Sequence, residues 1–278
     1  MKEPTISVGI PVYNGSVTLK RALISIVYQN YKNLEIIISN NCSTDNTSEI
    51  ISFFKKSDKR IKVFNQQAKI TLESNFQFVL EKSTSEYFMW HAADDFRSRD
   101  FIEKNINFLL KNKDYVASIS PTKFFKHPFN SKRVGDFSIE DNEPYKRIAC
   151  LLSTWDANAR FWSLFRKEHL KKLNFKDKSF LGCDLHYMIH MVLWGKFKRI
   201  DEGLMQLGKS GTSNKKNIFE IYRTKKIEFF FPLIELLKNS LLLTDKIKIK
   251  LIISYKILLL NYAANLLRIK WLIIKIIR

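Results

Sequence analysis

The order of apolar and polar segments in residues 5–95 restricts this chain to few folds. Residues 5–47 read TISVGIPVYNGSVTLKRALISIVYQNYKNLEIIISNNCSTDNT, and residues 87–95 read YFMWHAADD. This pattern predicts a strand, a turn, a helix, a second strand and a polar turn, followed by a later strand that ends in two aspartates. Because ligands bind at the carboxyl edge of a parallel sheet, these polar strand ends predict a binding site there.

Further apolar segments extend the predicted sheet, and helical periodicity or capping signals separate them. The predicted strands cover residues 5–13, 34–39, 62–65, 87–91 and 115–120. The predicted helices cover residues 16–29, 45–56, 72–83 and 101–111. Strands that alternate with helices indicate an α/β fold, with a mostly parallel sheet flanked by helices. Residues 144–200 are predicted to be mainly helical, with an interruption at TWDANARF.

The net charge and the spacing of the cysteines limit which classes of protein the chain can belong to. A net charge of +20 predicts an anionic partner, which could be a nucleic acid, a phospholipid or a nucleotide. The three cysteines are far apart and form no CxxC pair, which argues against a disulfide framework and fits a reducing cytosol. The N-terminus lacks a signal-peptide layout, and no run of about twenty uncharged apolar residues predicts a transmembrane helix.

The composition changes from about residue 219, where Leu and Ile alternate with Lys and Arg. If residues 246–278 form one helix, several basic residues fall within about 80° of each other. They are Lys246, Lys250, Arg268, Lys275 and Arg278. The opposite side is mostly Leu and Ile, which predicts a basic amphipathic helix, or two joined ones, on an anionic membrane surface. Alternatively, the apolar side packs on the rest of the chain or on a second subunit of a homodimer. We therefore divide the chain into residues 1–215 and a helical tail, 216–278.

Asp94 and Asp95 are the strongest candidates for chemistry. Aspartate is common in turns, but Ser98 or Asp100 is placed to cap the following helix, so capping does not explain this pair. Adjacent carboxylates repel each other unless a cation or water lies between them. The pair therefore predicts a site for a hard divalent cation that carries a phosphorylated substrate.

Two further strand ends carry amide side chains. Pro11–Asn14 follow the first strand, and Asn40–Asn41 follow the second. An Asn side chain can both donate to and accept from the edge of a nucleobase, although polar turns use the same residue types. Their position on the same predicted sheet edge as Asp94 favours contact with a nucleotide.

Asp184 lies at the start of an amphipathic segment, in FLGCDLHYMIHMVLWGK. One interpretation is an N-cap for that helix. The other is a general base, because a carboxylate can remove a proton from a sugar hydroxyl within hydrogen-bond reach. His186 and His190 stand four residues apart and could form half of a metal site, but no HExxH motif accompanies them.

Residues 203–210 read GLMQLGKS and match the P-loop pattern. A genuine P-loop needs a strand before it and a helix after it. Here the interior is typical of a strand, and the following Gly-Thr-Ser-Asn is typical of a loop. We therefore favour a mobile polar loop in which Lys209 and Ser210 lie near a diphosphate.

Taken together, these segments resemble the family 2 glycosyltransferases of the GT-A fold, of the bacterial surface-polysaccharide type. IPVYN and SNNCSTDNT resemble the nucleotide-binding segments of that family, and HAADD resembles its acidic metal motif. GCDLHYMIHMVLWGK is similar to the segment that supplies the catalytic aspartate, and ARFWSLFRKEHLKKL is similar to the acceptor-side stretch before it. The resemblance spans roughly residues 5–213.

The resemblance implies roles for individual residues. Pro11, Tyr13 and Asn14 would line the base pocket, and Asn40 would meet the base edge where the family usually has Asp. Asp94 would contact the donor and a metal ion, with Asp95 beside it. Asp184 would be the base of an inverting transfer. Ala92 stands where the family has the first acid of its metal motif.

The resemblance thus implies an inverting glycosyltransferase that depends on Mg²⁺ or Mn²⁺. It would transfer a sugar from a nucleotide diphosphate, with UDP favoured, to a saccharide or lipid-linked saccharide. The expected location is cytoplasmic, peripheral on the inner face of the cytoplasmic membrane. Two other classes remain as alternatives: a basic nucleic-acid-binding protein, for which no recognition motif is present, and a P-loop NTPase.

Overall fold

A central sheet of seven strands organises the protein. The computed structural model describes residues 3–153, 156–172, 179–209, 222 and 225–277. The described strands are β1 (Ile6–Val12), β2 (Leu34–Asn40), β3 (Ile61–Asn65), β4 (Tyr87–Trp90), β5 (Phe96–Arg97), β6 (Tyr115–Ile119), β7 (Thr122–Phe124), β8 (Leu164–Arg166), β9 (Lys196–Arg199) and β10 (Met205–Leu207). The central sheet has the order β3-β2-β1-β4-β8-β6-β9, and a small sheet has the order β5-β10-β7.

Helices cover both faces of the central sheet. The described α-helices are α1 (Leu19–Val27), α2 (Thr47–Ser57), α3 (Leu72–Lys82), α4 (Phe101–Lys111), α5 (Ser131–Val134), α6 (Pro144–Leu151), α7 (Lys167–Leu170), α8 (Cys183–Trp194), α9 (Ile234–Leu241) and α10 (Ile247–Ile277). Short 3-10 turns occur at Ala159–Trp162 and Lys226–Phe229. No helix in the described part of the chain is both long and apolar enough to cross a bilayer.

The sheet is mostly parallel. β1 pairs in parallel with β2 and β4, β2 with β3, and β6 with β9. Among the described strands of this sheet, only β8 runs antiparallel to its neighbours, β4 and β6. The predicted α/β fold with a mostly parallel sheet flanked by helices is therefore confirmed.

Two apolar clusters hold the layers together. Along β1, the side chains of Ile6, Val8 and Ile10 pack with α1, α2 and α4 on one face of the sheet. On the other face, Ile37 and Trp90 belong to a cluster with α3, α6 and α8. Side chains alternate between the faces of a strand, so strands buried on both sides need apolar residues at nearly every position. This explains the unbroken apolar runs in the sequence.

The tail packs into the second of these clusters. Ile249, Ile253, Ile257 and Leu260 of α10 are buried there together with Leu236 of α9. This buried stripe lies on the same side of α10 as Lys250, and the opposite side, which the sequence predicts to be apolar, is exposed. Packing of that apolar side on the rest of the chain therefore stays a prediction. The predicted division at residue 215 lies outside the described residues.

The prediction of a mainly helical segment over residues 144–200 is wrong in part. β8 and β9 lie within it, with three and four residues respectively. Strands this short show too few alternations to be distinguished from the surrounding helical periodicity. The strand predicted inside residues 203–210 is present as β10, so the P-loop alternative does not hold.

Candidate active site

The carboxyl ends of β2, β1 and β4 meet at one edge of the sheet. Val12 is in register with Asn40 across β1 and β2, and Gly9 is in register with Trp90 across β1 and β4. The loops that follow these strands therefore begin side by side. Tyr13 and Asn14 are exposed there, whereas Pro11 is buried within β1.

Hydrogen bonds join the first two of these loops. Asn14 adopts a left-handed conformation with φ 49°, and its side-chain oxygen accepts from Thr44 N at 2.8 Å. Ser16 N donates to Asp45 Oδ2 at 3.0 Å. Burial alone would raise the pKa of Asp45, but hydrogen bonds from Thr47 and Ser16 outweigh this effect and lower the pKa. These hydrogen bonds therefore hold residues 14–16 and residues 43–45 together as one polar surface.

Asn40 is largely occupied by internal contacts. Its Nδ2 donates to Ser48 Oγ at 3.0 Å and to Asn65 Oδ1 at 3.3 Å, while its Oδ1 accepts from Ser43 N at 3.2 Å. A carbonyl oxygen has two lone pairs, so one acceptor position remains beyond Ser43. The predicted contact of Asn40 with a base edge stays a prediction. Asn41 is also buried, and its amide makes two hydrogen bonds with the backbone of Ile70.

Lys69 is a feature of this edge that the sequence did not reveal. Its ammonium lies 3.8 Å from the centroid of the exposed Tyr13 ring. Such a cation over an aromatic face is attractive and leaves both groups available to an anionic, planar ligand. No local pattern singles out Lys69, because lysine is abundant throughout the chain.

Asp94 and Asp95 have different surroundings. Asp95 is 2% exposed, its Oδ1 accepts from Gly208 N at 2.9 Å, and its Oδ2 has no hydrogen-bond partner among the described residues. Burial raises the pKa of Asp95 to about 7, with Arg97 acting in the opposite direction and Asp94 adding to the rise. Asp94 is only partly buried, and its backbone oxygen accepts from Arg21 at 2.8 Å.

Gly208 packs closely against the loop that carries Asp94 and Asp95, which we call the acidic loop. A Cβ at residue 208 would lie 2.3 Å from Asp94 Cγ and 2.6 Å from the Asp94 backbone oxygen, so only glycine fits. The close approach brings the exposed Lys209 next to the acidic loop, where its ammonium contacts His127. Ser210, the other predicted contact of a diphosphate, lies outside the described residues.

The donor set at Asp94 fits a cation that shares its ligands with a substrate. Among residues 3–153, 156–172, 179–209, 222 and 225–277, no group of three or more His, Cys, Asp or Glu could hold a metal ion by itself. Mg²⁺ commonly uses one or two carboxylates and takes its other ligands from substrate phosphates and water. Asp94 is partly exposed and could supply one such carboxylate, whereas the Oδ1 of Asp95 accepts from Gly208 N inside the protein.

The histidines of α8 have structural partners. His186 Nδ1 lies 3.2 Å from Ser240 Oγ, and His190 Nε2 lies 3.2 Å from the backbone oxygen of His169. Both rings are buried. These contacts favour a core role over metal ligation.

Asp184 occupies the first turn of α8. The N-cap position belongs to Gly182, with φ 84°, so the N-cap interpretation of Asp184 does not hold. Asn158 Nδ2 donates to Asp184 Oδ2 at 2.8 Å. Asp184 is exposed, yet the surrounding protein desolvates its carboxylate and raises the pKa, while the bond from Asn158 acts in the opposite direction. A carboxylate with a raised pKa is a stronger base.

Buried contacts connect Asp184 with the acidic loop. Asn158 precedes the turn Ala159–Trp162, in which Phe161 stacks on Trp90 of β4 with ring centroids 4.7 Å apart. The Arg97 guanidinium donates to the backbone oxygens of Trp90 and Trp162, both at 2.9 Å. The segment that carries Asn158 is therefore fixed to the strand that carries the acidic loop.

Comparison with known proteins identifies the family of this chain. Residues 7–174, more than half of the chain, match the family model described as glycosyl transferase family 2. The chain belongs to glycosyl transferase family 2. The resemblance to family 2 glycosyltransferases inferred from the sequence is thereby confirmed, and with it the class of enzyme, a glycosyltransferase.

This glycosyltransferase has several curated relatives. It is 27% identical over 178 residues to the GalNAc(5)-diNAcBac-PP-undecaprenol beta-1,3-glucosyltransferase of Campylobacter jejuni, covering 63% of this chain and 56% of the relative. It is 36% identical over 112 residues to an uncharacterized glycosyltransferase of Haemophilus influenzae, covering 40% of this chain and 45% of that one. The chain thus spans about half the length of these relatives.

Solved structures share the fold at low sequence identity. S. aureus TarS 1-349 in complex with UDP-GlcNAc matches with a TM-score of 0.60 and 14% identity, over 91% of this chain and 79% of that one. The mannosyltransferase PcManGT from Pyrobaculum calidifontis, in complex with GDP-Man and Mn²⁺, matches with a TM-score of 0.61 and 15% identity, over 91% of this chain and 69% of that one.

The Asn158–Asp184 contact leads to a prediction about pH. Replacing Asn158 by Asp removes a donor and places a second carboxylate beside Asp184, while the left-handed backbone (φ 49°) still accepts the new residue. Both changes raise the pKa of the Asp184 carboxylate. If Asp184 is the base, the acidic limb of the pH–rate profile should therefore move to higher pH by about one unit or more. The measurement is kcat against pH.

Asn112→Asp is the matched control, because Asn112 also donates only to a nearby group, the backbone oxygen of Phe108 at 2.8 Å. It should leave the pH–rate profile in place. An unmoved profile in Asn158→Asp would show that Asn158 does not act on the reacting base.

Proposed function

We propose that this enzyme is an inverting glycosyltransferase that moves a sugar from a nucleotide diphosphate to a saccharide hydroxyl. The observation that carries the proposal is the fixed link between the acidic loop and the Asn158–Asp184 pair, through Arg97 and Trp162. A transferase needs an acidic group near the departing diphosphate and a base near the attacking hydroxyl. A rigid scaffold that carries both is the arrangement that such a reaction requires.

The donor is expected at the edge formed by the loops after β1, β2 and β4. UDP is the favoured nucleotide, because the remaining acceptor position of Asn40 Oδ1 suits uracil N3–H. Tyr13 and Lys69 offer a flat ring and a positive charge beside it. The TarS complex with UDP-GlcNAc supports a uridine donor by analogy of fold, while the PcManGT complex with GDP-Man keeps guanosine as the competing case.

Asp94 would hold the divalent cation, Mg²⁺ or Mn²⁺, together with the diphosphate of the donor. When bound, the cation would neutralise charge that builds up on the departing nucleoside diphosphate. Lys209 lies next to Gly208 and would add a positive charge on the same side. Asp95 would support the loop through its bond to Gly208 and its charge interaction with Arg97.

Asp184 would act as the general base. Its carboxylate takes the proton of the acceptor hydroxyl, and the acceptor oxygen forms a bond to the anomeric carbon from the face opposite the diphosphate. The bond from the anomeric carbon to the diphosphate oxygen breaks, so the configuration inverts and a nucleoside diphosphate leaves. Asn158 would orient the carboxylate by its hydrogen bond to Oδ2.

The acceptor is proposed to be a saccharide carried on a lipid, in the synthesis of a bacterial surface polysaccharide. The name of the Campylobacter jejuni relative describes an acceptor on a diphosphate-linked polyprenol. An acceptor of this kind sits at a bilayer surface, which agrees with a net charge of +20. The enzyme would then work in the cytoplasm, on the inner face of the cytoplasmic membrane.

The test is a thermal-shift screen of the full chain against UDP-, GDP- and dTDP-sugars, with and without Mn²⁺. At about a hundredfold excess over Kd, a bound donor should stabilise the fold by roughly 2.7 kcal/mol, which raises Tm by several degrees. We expect this shift for UDP-sugars when Mn²⁺ is present. A chain that responds to none of the donors, but shifts RNA or DNA in a salt-dependent manner, would favour the nucleic-acid alternative instead.

A further inference from the structure

Helix α10 carries two apolar faces. One face is buried against α6 and α9, and its members are at most 5% exposed. These residues are Ile249, Ile253, Ile257, Leu260 and Ala264. At 100° per residue they fall within about 80° of each other, as expected for a stripe that contacts a core.

The opposite face of α10 is apolar and exposed. We call it the outer face and define it by large side chains that are between 46% and 65% exposed. These residues are Leu251, Tyr255, Leu258, Leu259, Tyr262, Leu266 and Ile269. They fall within about 100° of each other, centred opposite the buried stripe. The helical wheel of the sequence divides this helix into a basic and an apolar side, and so misses that the apolar residues form two faces.

A second segment enlarges the outer face. Asn265 Nδ2 donates to the backbone oxygen of Phe230 at 2.8 Å, which holds the Phe229–Phe231 segment beside α10. All three phenylalanines are exposed, as Ile227 is. Contiguous apolar surface of this extent on one side of a protein marks an interaction surface.

The charges around the outer face favour a lipid surface over a second copy of the chain. Residues 246–278 contain eight Lys or Arg and no Asp or Glu. At 100° per residue, Lys248 lies within the arc of the outer face and Lys256 about 60° beyond it, whereas Lys250 lies toward the buried stripe. Pairing two outer faces would bring two sets of positive charges together with no acid from this segment to compensate. An anionic bilayer complements the same charges, and Tyr255 and Tyr262 suit the boundary between headgroups and acyl chains.

We propose that the outer face of α10, together with Phe229–Phe231, docks the enzyme on an anionic lipid bilayer, with the helix lying in the plane of the interface. This inference deepens the proposed function, because it names the surface that would bring the active site to a lipid-linked acceptor. Helices with an apolar face and flanking cations bind bilayers in this orientation, at the depth of the headgroup boundary.

The experiment uses the full chain, because removal of the tail would uncover the core cluster that Ile249, Ile253 and Ile257 complete. Leu258→Glu with Tyr262→Glu alters the outer face and leaves the buried stripe intact. Phe53→Glu with Leu110→Glu is the matched control, since both residues are exposed on other helices and the change in charge is the same. Each protein is sedimented with vesicles of phosphatidylcholine, and with vesicles of equal parts phosphatidylcholine and phosphatidylglycerol.

The original chain and the control should bind the vesicles that contain phosphatidylglycerol, and bind pure phosphatidylcholine more weakly. The outer-face variant should bind on the order of a hundredfold more weakly, since each large apolar side chain removed from the bilayer lowers the affinity about tenfold.

Equal binding of variant and control would overturn the proposal. So would an original chain that ignores both vesicles and forms a dimer that the outer-face variant loses. Donor-induced thermal shifts should be the same in all three proteins, so failure of the proposed function would appear there and not in the vesicle assay.

Discussion

Replacing Asp94 by Asn should abolish sugar transfer while the fold stays intact. Asp94 is the partly exposed member of the acidic pair, and Asn keeps its size while removing the charge that a divalent cation needs. A catalytic cation contributes several kcal/mol to a transition state that gains charge, and each ~1.4 kcal/mol is a factor of ten. We therefore expect kcat/KM to fall by about a thousandfold or more, measured with saturating Mn²⁺, and the Mn²⁺-dependent part of the donor thermal shift to disappear.

Two other aspartates serve as controls for this experiment. Asp201→Asn changes a side chain that is 95% exposed and should leave both activity and Tm unchanged. Asp95→Asn removes a buried charge beside Arg97 and a bond to Gly208, so its main effect should be a lower Tm. If Asp94→Asn retains near-original transfer in the presence of metal, Asp94 is not the metal ligand.

The contrast between Asp94 and Asp95 shows that sequence patterns predict the position of a residue on the sheet but not the burial of its side chain. The order of strands placed both residues at the end of β4, on the edge where the polar loops of β1 and β2 also lie. Adjacent residues point in different directions, however, and only tertiary contacts decide which side chain is buried. Asp95 meets Gly208, which is more than a hundred residues away in the chain. No local pattern contains that contact.

Tertiary contacts also decide which short segments form strands and which helix faces are buried. β1 and β2 were predictable because runs of seven buried residues between polar turns leave few alternatives. β8 was not, because three residues gain their strand conformation from pairing with β4 and β6. Likewise, the helix of residues 247–277 was predictable from composition, whereas its two apolar faces depend on which side α6 and α9 cover.

Replacing Asp184 by Asn should lower kcat by about 10²–10⁴-fold, the usual contribution of a general base. The amide cannot take the acceptor proton, but its oxygen can still accept from Asn158 Nδ2, so the first turn of α8 should keep its structure. Donor binding should change little, because Asp184 is proposed to contact the acceptor hydroxyl and not the donor. The measurements are kcat, the donor thermal shift and helix content by circular dichroism.

Dependence on pH separates a base from a merely structural carboxylate. In the proposed mechanism Asp184 acts in its ionised form, so activity should fall as pH drops through the pKa of this residue. Desolvation by the surrounding protein raises that pKa above its ordinary value. The residual activity of Asp184→Asn should lack that acidic limb. Glu168→Gln, at a side chain that is 73% exposed, is the control and should retain the original profile. A variant at residue 184 that keeps both kcat and the acidic limb would assign the proton transfer to another group, and one that loses helix content would assign Asp184 to the fold.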